Sequence, residues 1–74
     1  MEVTYQILNT LTNLNEPTET GWVKQINIVK WGNKEPMYDI RSWKYEGDTP
    51  VKMSKGVSLK EEEFTKLIEF CKSF

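Results

Sequence analysis

MYDIRSWKYEGDTPVKMSKGVSLKEEEFTKLIEFC, residues 37–71, passes from the two-residue period of a strand to the 3.6-residue period of a helix. Along 37–45, Met37, Asp39, Arg41, Trp43 and Tyr45 face one way, and Tyr38, Ile40, Ser42 and Lys44 face the other. EGDTP (46–50) is a turn, and a short further strand is expected within 51–58, around Lys55-Gly56. Ser58-Leu59-Lys60-Glu61 then reads as a capping box, in which a hydroxyl and a carboxylate satisfy each other's backbone donors. Glu61, Glu62 and Glu63 fall in the first turn, where the helix dipole favours negative charge. Phe64, Leu67, Ile68 and Cys71 follow at i, i+3, i+4 and i+7, which makes one apolar stripe.

Working outward, residues 3–13 are rich in β-branched residues, with Val3, Tyr5, Ile7 and Leu11 at odd positions, and read as a strand. NEPTETG (15–21) is a turn cluster. Residues 22–31, WVKQINIVKW, form a second strand in which Ile26, Ile28 and Val29 cannot share a face, so a bulge or a two-sided environment is required. Gly32-Asn33 supplies the turn into the strand at 37. Ile7, Leu11, Ile26, Ile28, Ile40, Phe64, Leu67 and Ile68 are the expected core.

At 74 residues the chain is a single domain, 1–74, and so small a domain buries only about 60% of its unfolded surface. There is no His and one Cys, so no zinc set and no disulfide within the chain can form. No metal or other cofactor is expected. The lone thiol fits a reducing compartment, no apolar run has the length of a membrane span, and MEVTYQIL lacks the basic region of a signal peptide. A cytoplasmic protein with no membrane partner is the expectation. Catalysis has little to work with: no Ser/His or Cys/His pair, and no glycine-rich phosphate loop. The protein reads as a non-enzyme.

The net charge of −1 conceals an uneven distribution. Residues 1–21 carry −3, residues 22–60 carry +4 and residues 61–74 carry −2. The basic segment also interleaves cations with rings: Trp31, Lys34, Tyr38, Arg41, Trp43, Lys44, Tyr45, Lys52 and Lys55. Ring faces for nucleobases and cations for phosphates are what sequence-tolerant binding of single-stranded nucleic acid requires. Trp43 shares its face with Asp39 and Arg41, a poor core neighbourhood, so it is read as a surface ring, with Asp39 orienting the guanidinium. The alternatives are that the tryptophans are core residues, and that the rings dock a peptide in a small protein–protein interaction module. On the helix, Phe70 and Phe74 lie off the stripe and widen the apolar arc beyond what one small sheet covers. A homodimer through Phe64, Leu67, Ile68 and Cys71 is therefore expected.

Residues 38–67 resemble the single-stranded-DNA-binding domain of the transcriptional positive cofactor four family. The resemblance lies in Asp39-Ile40-Arg41 with Trp43, in Lys55-Gly56-Val57-Ser58-Leu59, and in Phe64. Trp31-Gly32-Asn33-Lys34 resembles the aromatic, turn and lysine that precede this strand. Trp22, Lys24, Asn27, Val29 and Trp31 are similar to the W-x-K-x-x-N-x-V-x-W segment of small bacterial members. The resemblance implies an α+β fold, a four-stranded antiparallel sheet followed by one C-terminal helix, and a homodimer joined through the helices. It implies a β-ridge holding single-stranded or melted DNA in replication, recombination, repair or transcription. Trp31, Lys34, Arg41 and Lys55 match family contacts by position, and Lys24, Asn27, Lys30, Trp43 and Lys52 complete the candidate nucleic-acid surface. Eukaryotic members place a stacking Trp three residues after the arginine, whereas Trp43 follows Arg41 by two. Nothing marks a reader of the 2′-hydroxyl, so RNA stays open beside DNA.

Overall fold

The computed structural model describes residues 4–74; the expected start of the first strand at Val3 lies outside them. Five strands and one helix follow in order: β1 (Tyr5–Asn13), β2 (Trp22–Trp31), β3 (Met37–Glu46), β4 (Thr49–Met53), β5 (Val57–Leu59) and α1 (Glu61–Lys72). β1, β2, β3 and β4 are antiparallel neighbours in that order, and β5 also pairs with β3. The sheet therefore has four positions, the last divided between β4 and β5.

That division has a local cause. β4 pairs Met53 with Trp43 and Lys52 with Lys44, while β5 pairs Val57 with Ile40, Ser58 with Asp39 and Leu59 with Tyr38. Between them the chain leaves the ladder, although Ser54 N–H still donates to the Ser42 carbonyl (2.9 Å) and Ser42 N–H to Ser54 Oγ (3.1 Å). A Cβ at Gly56 would overlap both Arg41 Cβ and the Ile40 carbonyl oxygen. Only glycine lets the backbone cross so close to Arg41.

β2 and β3 pair without a register shift, so their alternation sorts side chains cleanly onto two faces. The inner face carries Val23, Gln25, Asn27, Val29 and Trp31 of β2 against Met37, Asp39, Arg41, Trp43 and Tyr45 of β3. The outer face carries Trp22, Lys24, Ile26, Ile28 and Lys30 against Tyr38, Ile40, Ser42 and Lys44. The crowding of Ile26, Ile28 and Val29 is thus resolved by burial on both sides. β2 itself has no bulge against β3; β1 has two, where Leu8 and Leu11 are skipped in the pairing, and β4 has one, where Val51 is skipped.

Those bulges accompany a strong curl. Tyr5 lies opposite Trp31, and Trp43 lies opposite Val23, positions about 26 Å apart along a straight strand. Yet the Tyr5 and Trp43 ring centroids are 5.1 Å apart. The sheet closes over its inner face, and the core forms there. Val23, Val29 and Trp43 are its buried apolar residues, joined by buried Gln25, Asn27 and Asp39.

This reverses the expected core. Ile7, Ile26, Ile28, Ile40 and Phe64 are only half-buried, and Leu11, Leu67 and Ile68 are exposed. α1 lies on the outer face, its Phe64 ring stacked on Tyr38 at 4.0 Å with 10° between planes. No helical residue is buried. Cys71, expected inside the stripe, is exposed as well. The capping box also differs from expectation. Ser58 belongs to β5, and its hydroxyl donates to Asp39 Oδ1 at 3.0 Å. Lys60 is the N-cap, its N–H donating to Glu63 Oε1 at 2.8 Å. A lysine side chain has no acceptor, so only the carboxylate half of the box forms.

Candidate nucleic-acid interface

Arg41 is the best-positioned cation of the chain. Its Nε donates to Asp39 Oδ2 at 2.7 Å, and Nη1 to the Ser54 carbonyl at 3.4 Å, with Met53 Sδ at 3.5 Å. Asp39 is fully buried, and its second oxygen accepts from Ser58. The carboxylate is therefore held from both sides, by β3 itself and by β5. The guanidinium lies 4.7 Å above the Trp31 ring, a cation–π contact that fixes its plane. Its side chain keeps 14% exposure. Among the described residues, the Nη2 edge has no hydrogen-bond partner. A planar donor pair, oriented from behind and open in front, suits a phosphate or a base edge.

Arg41 also lines a shallow groove with Trp31, Lys34, Met37 and Ser58. Lys34 comes from the β2–β3 turn, closed by its N–H donating to the Trp31 carbonyl at 2.9 Å. Lys55, exposed in the gap between β4 and β5, adjoins Gly56 at the Arg41 side chain. Trp31, Lys34, Arg41 and Lys55 are thus brought to one end of the inner face.

The other candidates are not gathered there. Lys24 and Lys30 occupy outer-face positions of β2, and Lys52 pairs with Lys44 at the outer-face register. Asn27 is fully buried, its Nδ2 donating to Gln25 Oε1 at 3.1 Å. Trp43, read as a surface ring, is fully enclosed: Tyr5 packs on it, and Val23 and Met53 are its cross-strand neighbours. Its charged neighbours made the face look wet, but Asp39 and Arg41 neutralise one another, which lets the ring be buried beside them.

Tyr5 is the residue that reading the strands singly missed. Its ring lies 6.0 Å from Trp31 and 5.1 Å from Trp43, bridging the groove and the core. Nothing local marks it; the contact exists only because the sheet curls. A second network runs beside it. Gln25 Nε2 donates to Asn13 Oδ1 at 3.0 Å, and Tyr45 O–H donates to Gln25 Oε1 at 2.9 Å. Burial raises the Tyr45 pKa above its ordinary 10.0, the Gln25 hydrogen bond opposing the shift and the nearby Tyr5 adding to it.

Among the described residues no group of three or more His, Cys, Asp or Glu is placed to hold a metal ion, and no helix is long and apolar enough to cross a membrane. A clamped guanidinium over an indole, at the mouth of a curled antiparallel sheet, places a phosphate partner beside a ring on which a base can stack. Residues 18–70 match the family described as Transcriptional Coactivator p15 (PC4), and the chain belongs to that family of single-stranded-DNA-binding coactivator domains. No curated protein matches the chain.

Proposed function

We propose that the protein binds single-stranded DNA with little regard to sequence, as a non-enzymatic homodimer, through the groove at Trp31, Lys34, Arg41 and Lys55. The observation that carries this reading is the Arg41 clamp: Asp39 at 2.7 Å behind, the Trp31 ring at 4.7 Å beneath, and an open donor edge in front. A guanidinium so held takes a backbone phosphate, and the Trp31 ring lies beside it as a partner for a base. Leu67, Ile68 and Cys71, left exposed on α1, supply the surface through which two copies would join.

Titrations of oligo-dT, oligo-U and duplex DNA at two salt concentrations test the reading. Oligo-dT is expected to bind more tightly than duplex, and Arg41→Ala to weaken binding to all sequences alike, with a log–log salt slope shallower by about 0.7. A preference for duplex, or a variant with unchanged salt slope, would overturn it. Equal or tighter binding of oligo-U would move the partner from DNA to RNA. Sedimentation of a stable monomer at micromolar concentration would remove the dimer.

A further inference from the structure

A second recess opens on the inner face where β1 approaches the β3–β4 turn. It comprises two adjoining cavities of about 480 and 410 Å³ that share Tyr45 and Asp48. Tyr5, Thr10, Asn13 and Gln25 line it with them, and Pro50 stands directly across the ladder from Tyr45. No Lys or Arg lines either cavity. The inner face therefore has two chemically distinct ends. The end at Arg41 is cationic; this one is neutral but for the single carboxylate of Asp48.

The polar groups here have fixed directions. The Tyr45 hydroxyl hydrogen is committed to Gln25 Oε1, leaving its oxygen as an acceptor. Gln25 Nε2 holds Asn13 Oδ1, which leaves the Asn13 Nδ2 donors directed away from that bond. Among the described residues nothing pairs with the Asp48 carboxylate. A backbone phosphate would meet a like charge with no cation to offset it. A nucleobase would find a phenol ring, a proline ring and a mixed set of donors and acceptors.

The geometry points to a base-selective subsite that takes guanine, with Asp48 accepting from N1–H and the 2-amino group while Asn13 donates to O6. This rests on the reading of the chain as a single-strand binder and adds a preference to it. Guanine is the one DNA base whose Watson–Crick edge offers two adjacent donors to a carboxylate; adenine and cytosine each offer one amino group there, and thymine one ring N–H. A bidentate, charge-assisted pair of this kind discriminates by about tenfold or more.

The test uses the intact protein, an oligo-dT strand, and the same strand with one central dG, dA, dC or deoxyinosine. The dG strand is expected to bind about tenfold tighter than all-dT. Deoxyinosine, which keeps N1–H and O6 but lacks the 2-amino group, should lose most of that gain. Asp48→Asn should erase the dG preference and tighten all-dT binding slightly, since a charge repelling the backbone is gone. A thermal melt of the variant establishes that it is folded. Binding of all-dT with no dG preference would sink the guanine site and leave the single-strand reading standing. Failure of every strand to bind would sink that reading first. A dG preference that survives Asp48→Asn or the change to deoxyinosine would place base selection elsewhere and overturn the assignment.

Discussion

The inner and outer faces of the sheet are built from alternate residues of the same two strands, and they divide the work in an unexpected way. The inner face holds Gln25, Asn27, Asp39 and Arg41, and it is the closed one; the outer face holds Ile26, Ile28 and Ile40, and it is the open one. Polarity and burial are decoupled because the inner polar groups answer one another. Asp39 is shared by Arg41 and Ser58, and Gln25 by Asn13, Asn27 and Tyr45. These shared bonds lower the cost of polar burial beside Trp43, although Asn27 Oδ1 and the indole N–H groups of Trp31 and Trp43 are buried without a hydrogen-bond partner among the described residues. The aliphatic outer face is covered by a single short helix, on which Leu67 and Ile68 stay exposed.

Substitutions that strike each face in turn test this contrast. The largest effect is expected at Trp43: its replacement by Ala should cost about 3–5 kcal/mol of folding stability, enough to unfold so small a domain. Leu67→Ala on α1, examined at concentrations where the chain is monomeric, should cost less than about 1 kcal/mol. Urea melts of the two variants giving similar losses would mean that the faces are packed alike, and the contrast would fail.

Asp39→Asn comes next, at about 2–3 kcal/mol. Breaking a buried ion pair costs more than this when the orphaned partner is fully enclosed, but Arg41 keeps a solvent-facing edge. The same variant should weaken oligo-dT binding, because the guanidinium is no longer held square to the groove. Unchanged binding would show that the clamp is structural alone.

At Trp31 the expected loss is one of binding, about 1–3 kcal/mol on replacement by Ala. Its ring contacts Tyr5 and Arg41, so some stability should go with it. A stability loss matching that of Trp43→Ala, with binding intact, would assign Trp31 to the core as well.

The smallest effect concerns Tyr45. Tyr45→Phe removes one of two donors to Gln25 Oε1 and should cost about 1 kcal/mol. Because burial raises its folded-state pKa, the unfolded chain gives up the phenolic proton first as pH rises. This contribution to stability is present below about pH 10 and is lost as pH climbs from there toward the folded-state value. In Tyr45→Phe that part of the alkaline decline should be absent; an identical profile would remove the assignment.

β1, β2, β3 and the helix were legible because each is written in local periodicity. The one short strand expected around Lys55-Gly56 was not: the ladder breaks there, and β4 and β5 flank the gap. The Arg41 site was legible too, since Asp39 and Arg41 are two apart on one strand. What could not be read was which face closes. That depends on Ser58 reaching Asp39 and on Tyr5 reaching Trp43, partners far apart in the chain. One signal was available. The lysines of β2 and β3, Lys24, Lys30 and Lys44, all occupy outer-face positions, and lysine is seldom buried. Their alternation marks the wet side of the sheet more truly than the isoleucines mark a dry one. The shifted cap has a similar origin, for pairing with β3 claims Ser58 before the helix can.

The gap at Ser54–Gly56 has a further consequence, for colloidal behaviour. A sheet ends in rims whose unpaired amides and carbonyls can recruit a strand from another molecule, the first step toward aggregates. Here one rim is interrupted where the backbone swerves toward Arg41, and the other, β1, is broken twice by its bulges. Neither offers a long, even template. Edge-to-edge stacking therefore finds no straight run to copy, and the irregular rims favour a dispersed protein.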